Sequence, residues 1–135
     1  QVLDTLYGIQ TEEQLKAMYR LKTGVMISGA AELGCVAADM PADMRAQAVE
    51  FADQLGLAFQ IRDDMLDVIG NADEFGKPIG SDKDEGKVSY VDRLGLDDCG
   101  KLVHELTERA GSAVSDLDRE GFLTALAESL TERMK

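Results

Sequence analysis

Phe59-Gln60-Ile61-Arg62-Asp63-Asp64-Met65-Leu66-Asp67-Val68 ends an otherwise apolar stretch with three aspartates at i, i+1 and i+4. Read as a helix at about 100° per residue, it places Asp63 and Asp67 on one face with Gln60, and Asp64 beside them. That stripe continues N-terminally through Gly56 and Ala52, small enough to leave room for a ligand. The core-facing stripe lies about a quarter-turn away: Met44, Ala48, Phe51, Leu55, Phe59 and Leu66. Gly70 reads as the helix stop, which sets the aspartates near the negative end of the helix dipole. Three carboxylates on one narrow face repel each other. The only basic residue between Asp53 and Glu74 is Arg62, and it points toward the opposite stripe. A hard divalent cation such as Mg2+, shared with phosphate oxygens, accounts for such a cluster. An acidic face that is merely solvated is the other reading.

Outward from this stretch, the 135-residue chain is long enough for one domain with its own core. It carries 26 acidic against 14 basic residues, a net charge of −12. That balance argues against nucleic acid or an anionic membrane surface as partner. Cys35 and Cys99 form no metal-type or redox-type pair, and two lone cysteines fit a reducing cytoplasm. Cys35 reads as a small core residue. No role falls to His104, the single histidine. Gln1 to Gly8 lacks the basic start and long apolar run of a signal peptide, and reads as the tail of a helix. The most apolar segment, Val25 to Ala38, is too short to span a bilayer and contains Glu32.

Thr11 followed by Glu12, Glu13 and Gln14 predicts a capped helix start, with the helix running to about Val36. Its apolar stripe collects Leu15, Met18, Val25, Met26, Gly29, Leu33 and Val36, with Lys22 at its centre. A lysine there either snorkels to water or meets an anion. Asp39 and Pro41 predict the start of the next helix, spanning about Ala42 to Ile69. The stretch Gly70 to Lys87 is a loop rich in glycine and charge. Its lysines, Lys77, Lys83 and Lys87, suit closure over phosphates, and a plain mobile loop is the simpler reading. Its Asp82, Asp84 and Gly86 have the wrong spacing for a calcium loop. Ser89 to Leu94, Leu96 to about Asp118 and Gly121 to Met134 read as helices. No stretch alternates as a strand does, so the fold class is all-α.

Lys22-Thr23, the Phe59-Gln60 to Asp67 motif, Gly76-Lys77-Pro78 to Asp82 and Gly86-Lys87 together resemble the trans-isoprenyl diphosphate synthases. The run Asp67 to Gly70, then Ser89-Tyr90-Val91 and Leu94-Gly95-Leu96, looks most like the bacterial farnesyl-type enzymes. The resemblance covers nearly the whole chain in order, and it is to the C-terminal half of such an enzyme. No earlier Asp-rich motif or basic acceptor pocket precedes the motif here.

This likeness implies a helical bundle around a central cavity, with residues 1–135 forming part of a single synthase domain. It implies condensation of an allylic diphosphate (dimethylallyl or geranyl) with isopentenyl diphosphate, and a homodimer in the complete enzyme. It also implies that Asp63, Asp64 and Asp67 hold Mg2+, with Asp63 a direct ligand. Lys22, Lys77 and Lys87 would hold the diphosphate, and Thr23 and Gln60 would stand beside the forming cation. A truncated enzyme is the favoured expectation; a half-fold regulatory subunit and a terpene-cyclase relative are the alternatives. A chain of this extent is expected to leave apolar faces uncovered, including the stripes around Leu15 and Leu55.

Overall fold

The computed structural model describes residues 11–75 and 88–132, with the backbone alone for 71–75. Every element among them is helical. Helix α1 spans Glu12–Tyr19, a π-helical turn covers Arg20–Gly24, and α2 follows over Val25–Ala37. Helix α3 runs Ala42–Phe75, α4 Tyr90–Ala113 and α5 Phe122–Thr131. No helix among these residues is long and apolar enough to cross a membrane.

The predicted cap at Thr11 is present. Its hydroxyl accepts the Gln14 N–H at 3.2 Å, and the Gln14 side chain accepts the Thr11 N–H at 3.2 Å. Ser89 and Asp92 form the same reciprocal pair at the start of α4. Gly95, at φ 78°, kinks α4 between the two helical pieces that the sequence predicts on either side of it. At the start of α5 Asp118 serves as the cap, accepting the N–H groups of Leu123 and Thr124 at 3.0 and 2.8 Å.

α3 is the spine, with α1, the π turn and α2 antiparallel to it on one side and α4 antiparallel on another. Two apolar clusters result. Leu15, Tyr19, Ala58, Ile61 and Met65 pack with Tyr90, Cys99, Val103 and Leu106 around the C-terminal half of α3. Phe51, Ala52 and Leu55 pack with Ala110, Val114 and Ala127 around its N-terminal half. Leu15 and Ile61 are 0 % exposed, each burial contributing about 1.5–3 kcal/mol. Cys35 is buried, as expected of a small core residue.

Three expectations are corrected here. Gly70 does not stop α3, which continues to Phe75. Nothing crowds Gly70, and one glycine in a helix costs only about 1 kcal/mol relative to alanine, too little to end a packed helix. The aspartates therefore stand further from the helix end, and from its dipole, than the sequence implied. The small residues Ala52 and Gly56 leave no empty room either, because Ala52 is core and Gly24 of the π turn packs against Gly56.

The third correction concerns the stripe drawn through Leu15 and Val36. Leu15 and Leu55 are buried, whereas Leu21, Val25, Met26, Leu33 and Val36 are exposed, Met26 by 78 % and Leu33 by 71 %. A continuous helix keeps one phase throughout, but a π turn inserts about one residue and rotates the succeeding helix by about 100°. Ile27 and Ala31 thereby turn onto the packed side with Tyr19, and Met26 and Leu33 turn away.

The Gly24–Gly56 crossing yields a prediction. A methyl added at Gly56 would stand 3.0 Å from the Gly24 Cα, a backbone atom that cannot move unless the helices part. Gly56→Ala is expected to lower stability by about 1–2 kcal/mol, the clash outweighing alanine's better helix propensity. Gly70→Ala, in open space, is expected to raise it by about 0.5–1 kcal/mol. Thermal melts of both variants check the pair. Equal shifts would contradict both the close crossing and the continuation of α3 past Gly70.

Candidate functional site

Where α1 and the π turn lie against α3, the interface is a series of polar pairs. The Thr23 hydroxyl donates to the Gln60 Oε1 at 2.7 Å, and the Gln60 Nε2 donates to the Asp64 Oδ1 at 3.3 Å. The Tyr19 hydroxyl donates to the other oxygen of Asp64, and itself accepts the Tyr90 N–H at 3.3 Å. Further along, Ser28 donates to Asp53, which also pairs with Arg20 at 3.1 Å. The two tyrosine rings meet edge to face, their centroids 5.3 Å apart.

Local sequence explains this arrangement. Leu15 and Tyr19 are one helical turn apart and enter the core together. Gln60 and Asp64 are likewise one turn apart on α3, so a single side of α1 and the π turn meets both. The π turn advances Thr23 to Gln60 while leaving the neighbouring Lys22 exposed. Such turns recur at functional sites because they re-aim side chains within a helix.

Gln60 is 4 % exposed and, with Thr131, is one of two buried polar residues among those described. Its carbonyl oxygen receives Thr23 and its amide nitrogen serves Asp64, so its orientation is fixed. Asp64 is half-buried, and burial raises its pKa from the ordinary carboxylate value. The hydrogen bonds from Tyr19 and Gln60 and the charge of Lys22 work in the opposite sense. Burial, and then the bond to Asp64, hold the Tyr19 hydroxyl far above its ordinary value, so it stays a donor. The Cys99 thiol is pushed up to about 11, chiefly by burial, and stays a protonated core group.

The structure divides the predicted aspartate triad. Asp63 and Asp67 are exposed one turn apart, and Asp64 is turned inward with both oxygens engaged. Among the described residues no three His, Cys, Asp or Glu side chains form a ready-made metal cage. The pair Asp63 and Asp67 suits a hard cation that keeps water and phosphate oxygens in its shell. Lys22 makes no direct ion pair among the described residues, and its charge reaches Asp64. Lys77 and Lys87, the other predicted diphosphate lysines, lie outside the described residues.

Tyr19 was not foreseen. Its spacing from Leu15 signals burial, but no local pattern signals a partner 45 residues away. A groove lined by Arg62, Met65, Gly100, Val103 and His104 opens on the far side of α3 and shares none of these residues. His104 itself sits beside Glu108 at 3.7 Å on an exposed helical face.

Residues 1–119 fit the family model described as polyprenyl synthetase. The chain is 34 % identical over 122 residues to the farnesyl diphosphate synthase of Escherichia coli, covering 89 % of this chain and 40 % of that one. Against the farnesyl diphosphate synthase of Haemophilus influenzae the identity is 33 % over 122 residues, covering 89 % and 41 %. The crystal structure of a decaprenyl diphosphate synthase from Rhodobacter capsulatus superposes with a TM-score of 0.79 at 25 % identity, covering 99 % of this chain and 55 % of that one. The chain thus spans about two fifths of the length of the curated relatives it matches.

Proposed function

Because this chain belongs to the polyprenyl synthetase family, we propose that it supplies the diphosphate-binding and cation-binding part of a prenyltransferase. The reaction is condensation of an allylic diphosphate, dimethylallyl or geranyl, with isopentenyl diphosphate. The observation that carries this reading is the helix crossing itself. It orders Thr23, Gln60 and Asp64 in one hydrogen-bonded row, and beside that row Lys22, Asp63 and Asp67 make no side-chain hydrogen bond or ion pair among the described residues.

Mg2+ held there would neutralise the charge that develops on the departing diphosphate. Of this chain's own residues, Asp63 and Asp67 would hold the cation, with Asp63 the direct ligand. The Lys22 ammonium would bind diphosphate oxygens, strengthening as the allylic C–O bond breaks and its electron pair leaves with them. The Thr23 hydroxyl and the Gln60 carbonyl, oriented by their mutual bond, present oxygen dipoles toward the carbon left electron-poor. Attack by the isopentenyl double bond on that carbon, with loss of a proton, completes the new carbon–carbon bond. Lys77 and Lys87 are assigned to the same diphosphate. The acceptor pocket and a homodimeric assembly come from the family reading, and a cytoplasmic location from the two lone cysteines.

In a protein of the relatives' full length, this site is expected to incorporate labelled isopentenyl diphosphate into a longer allylic product. Lys22→Ala should cut kcat/KM by about 10²-fold, the size of losing one charge-assisted contact that strengthens in the transition state. Turnover unchanged by Lys22→Ala would contradict the assignment.

A further inference from the structure

We propose that Tyr19 is a positioning residue whose hydroxyl occupies Asp64, so that this carboxylate neither neutralises Lys22 nor joins Asp63 and Asp67. The inference rests on the functional reading above and deepens it. The geometry carries it: Tyr19 donates to one Asp64 oxygen, Gln60 donates to the other, and the Tyr90 N–H holds the Tyr19 hydroxyl in place. The edge-to-face contact of the two rings fixes Tyr19 from the side.

Asp64 has close alternatives to this arrangement. Lys22 is near enough for its charge to act on Asp64, and Asp67 near enough to repel it. A freed Asp64 would turn toward the lysine, or would add a third carboxylate to the exposed pair. The first outcome weakens the lysine as a diphosphate ligand. The second makes the site gather cation before diphosphate arrives. Tyr19, reaching across from α1, prevents both. No sequence motif marks it, because its task is set by an interhelical bond.

The test is titration calorimetry of inorganic pyrophosphate with MgCl2, and of MgCl2 alone, on the parent chain, Tyr19→Phe, Asp64→Asn and the double variant. Tyr19→Phe keeps the ring contact with Tyr90. It is expected to bind pyrophosphate about 5- to 10-fold more weakly, the scale of one competing ion pair, and Mg2+ alone more tightly. In the Asp64→Asn background, removing the Tyr19 hydroxyl should have little effect, since no charge is left to restrain.

An equal loss in both backgrounds would mark a merely structural tyrosine and overturn the inference. If Tyr19→Phe folds poorly, Asp64→Asn alone decides. It should bind Mg2+-pyrophosphate at least as tightly as the parent chain, and a large loss would show Asp64 to be a ligand itself. Absence of Mg2+-dependent pyrophosphate binding in the parent chain would instead overturn the functional reading, and this inference with it.

Discussion

Asp63→Ala, in a protein of the relatives' length, lowers kcat for prenyl transfer by about 10²- to 10³-fold and leaves Tm unchanged or slightly higher. The rate effect reflects where the carboxylate would act. A cation held by Asp63 interacts most strongly when the diphosphate carries its full departing charge, so the loss falls on the transition state. The stability effect comes from the structure. Asp63 is exposed with no side-chain hydrogen bond or ion pair among the described residues, and its removal relieves repulsion with Asp67. Asp64→Ala contrasts with it, because it strips the acceptor from Tyr19 and Gln60 and should cost stability as well as rate. Steady-state kinetics paired with thermal melts separate the two. Near-normal turnover by Asp63→Ala would remove the proposed ligand role.

The second large effect concerns the exposed side of α2. Val25, Met26, Leu33 and Val36 fall within about 100° of its circumference, and all are more than half exposed, with Leu21 just before them. A contiguous apolar face of this kind is rarely left in water. The 135-residue chain is expected to bury it against a second copy. Burying a side chain of this size contributes about 1.5–3 kcal/mol. Met26→Glu with Leu33→Glu should therefore weaken self-association by about 10²-fold or more. Sedimentation across a concentration series reads the change. A monomeric parent chain at high concentration would contradict it. In a protein of the relatives' length, the same face is proposed to lie against the additional sequence.

The sequence made the helical class legible through apolar stripes at helical spacing, the absence of strand alternation and local capping chemistry at Thr11. The helix break at Gly95 was equally local, carried by a single residue able to take positive φ. The features that were not legible depended on phase or distance. The π turn at Arg20–Gly24 has no compositional mark, so a stripe drawn straight through it assigned Met26 and Leu33 to the core. Gly70 looked like a stop because isolated glycines often are, yet a cost of about 1 kcal/mol did not end α3, whose backbone continues to Phe75. Within the candidate site, Thr23 and Gln60 were named through the family resemblance and lie bonded to each other. Spacing groups Asp64 with Asp63 and Asp67, but it cannot show which of these carboxylates an opposing tyrosine will bond.

Lys22, Asp63 and Asp67 are proposed to form a site that binds diphosphate and cation together and holds neither firmly alone. Calorimetric titration of Mg2+ into the chain, with and without inorganic pyrophosphate, tests this most directly. Mg2+ is expected to bind weakly without pyrophosphate and at least about 10-fold more tightly with it, because the exposed pair leaves most of the coordination shell to water and phosphate oxygens. Equally tight binding in both conditions, or none in either, would contradict it.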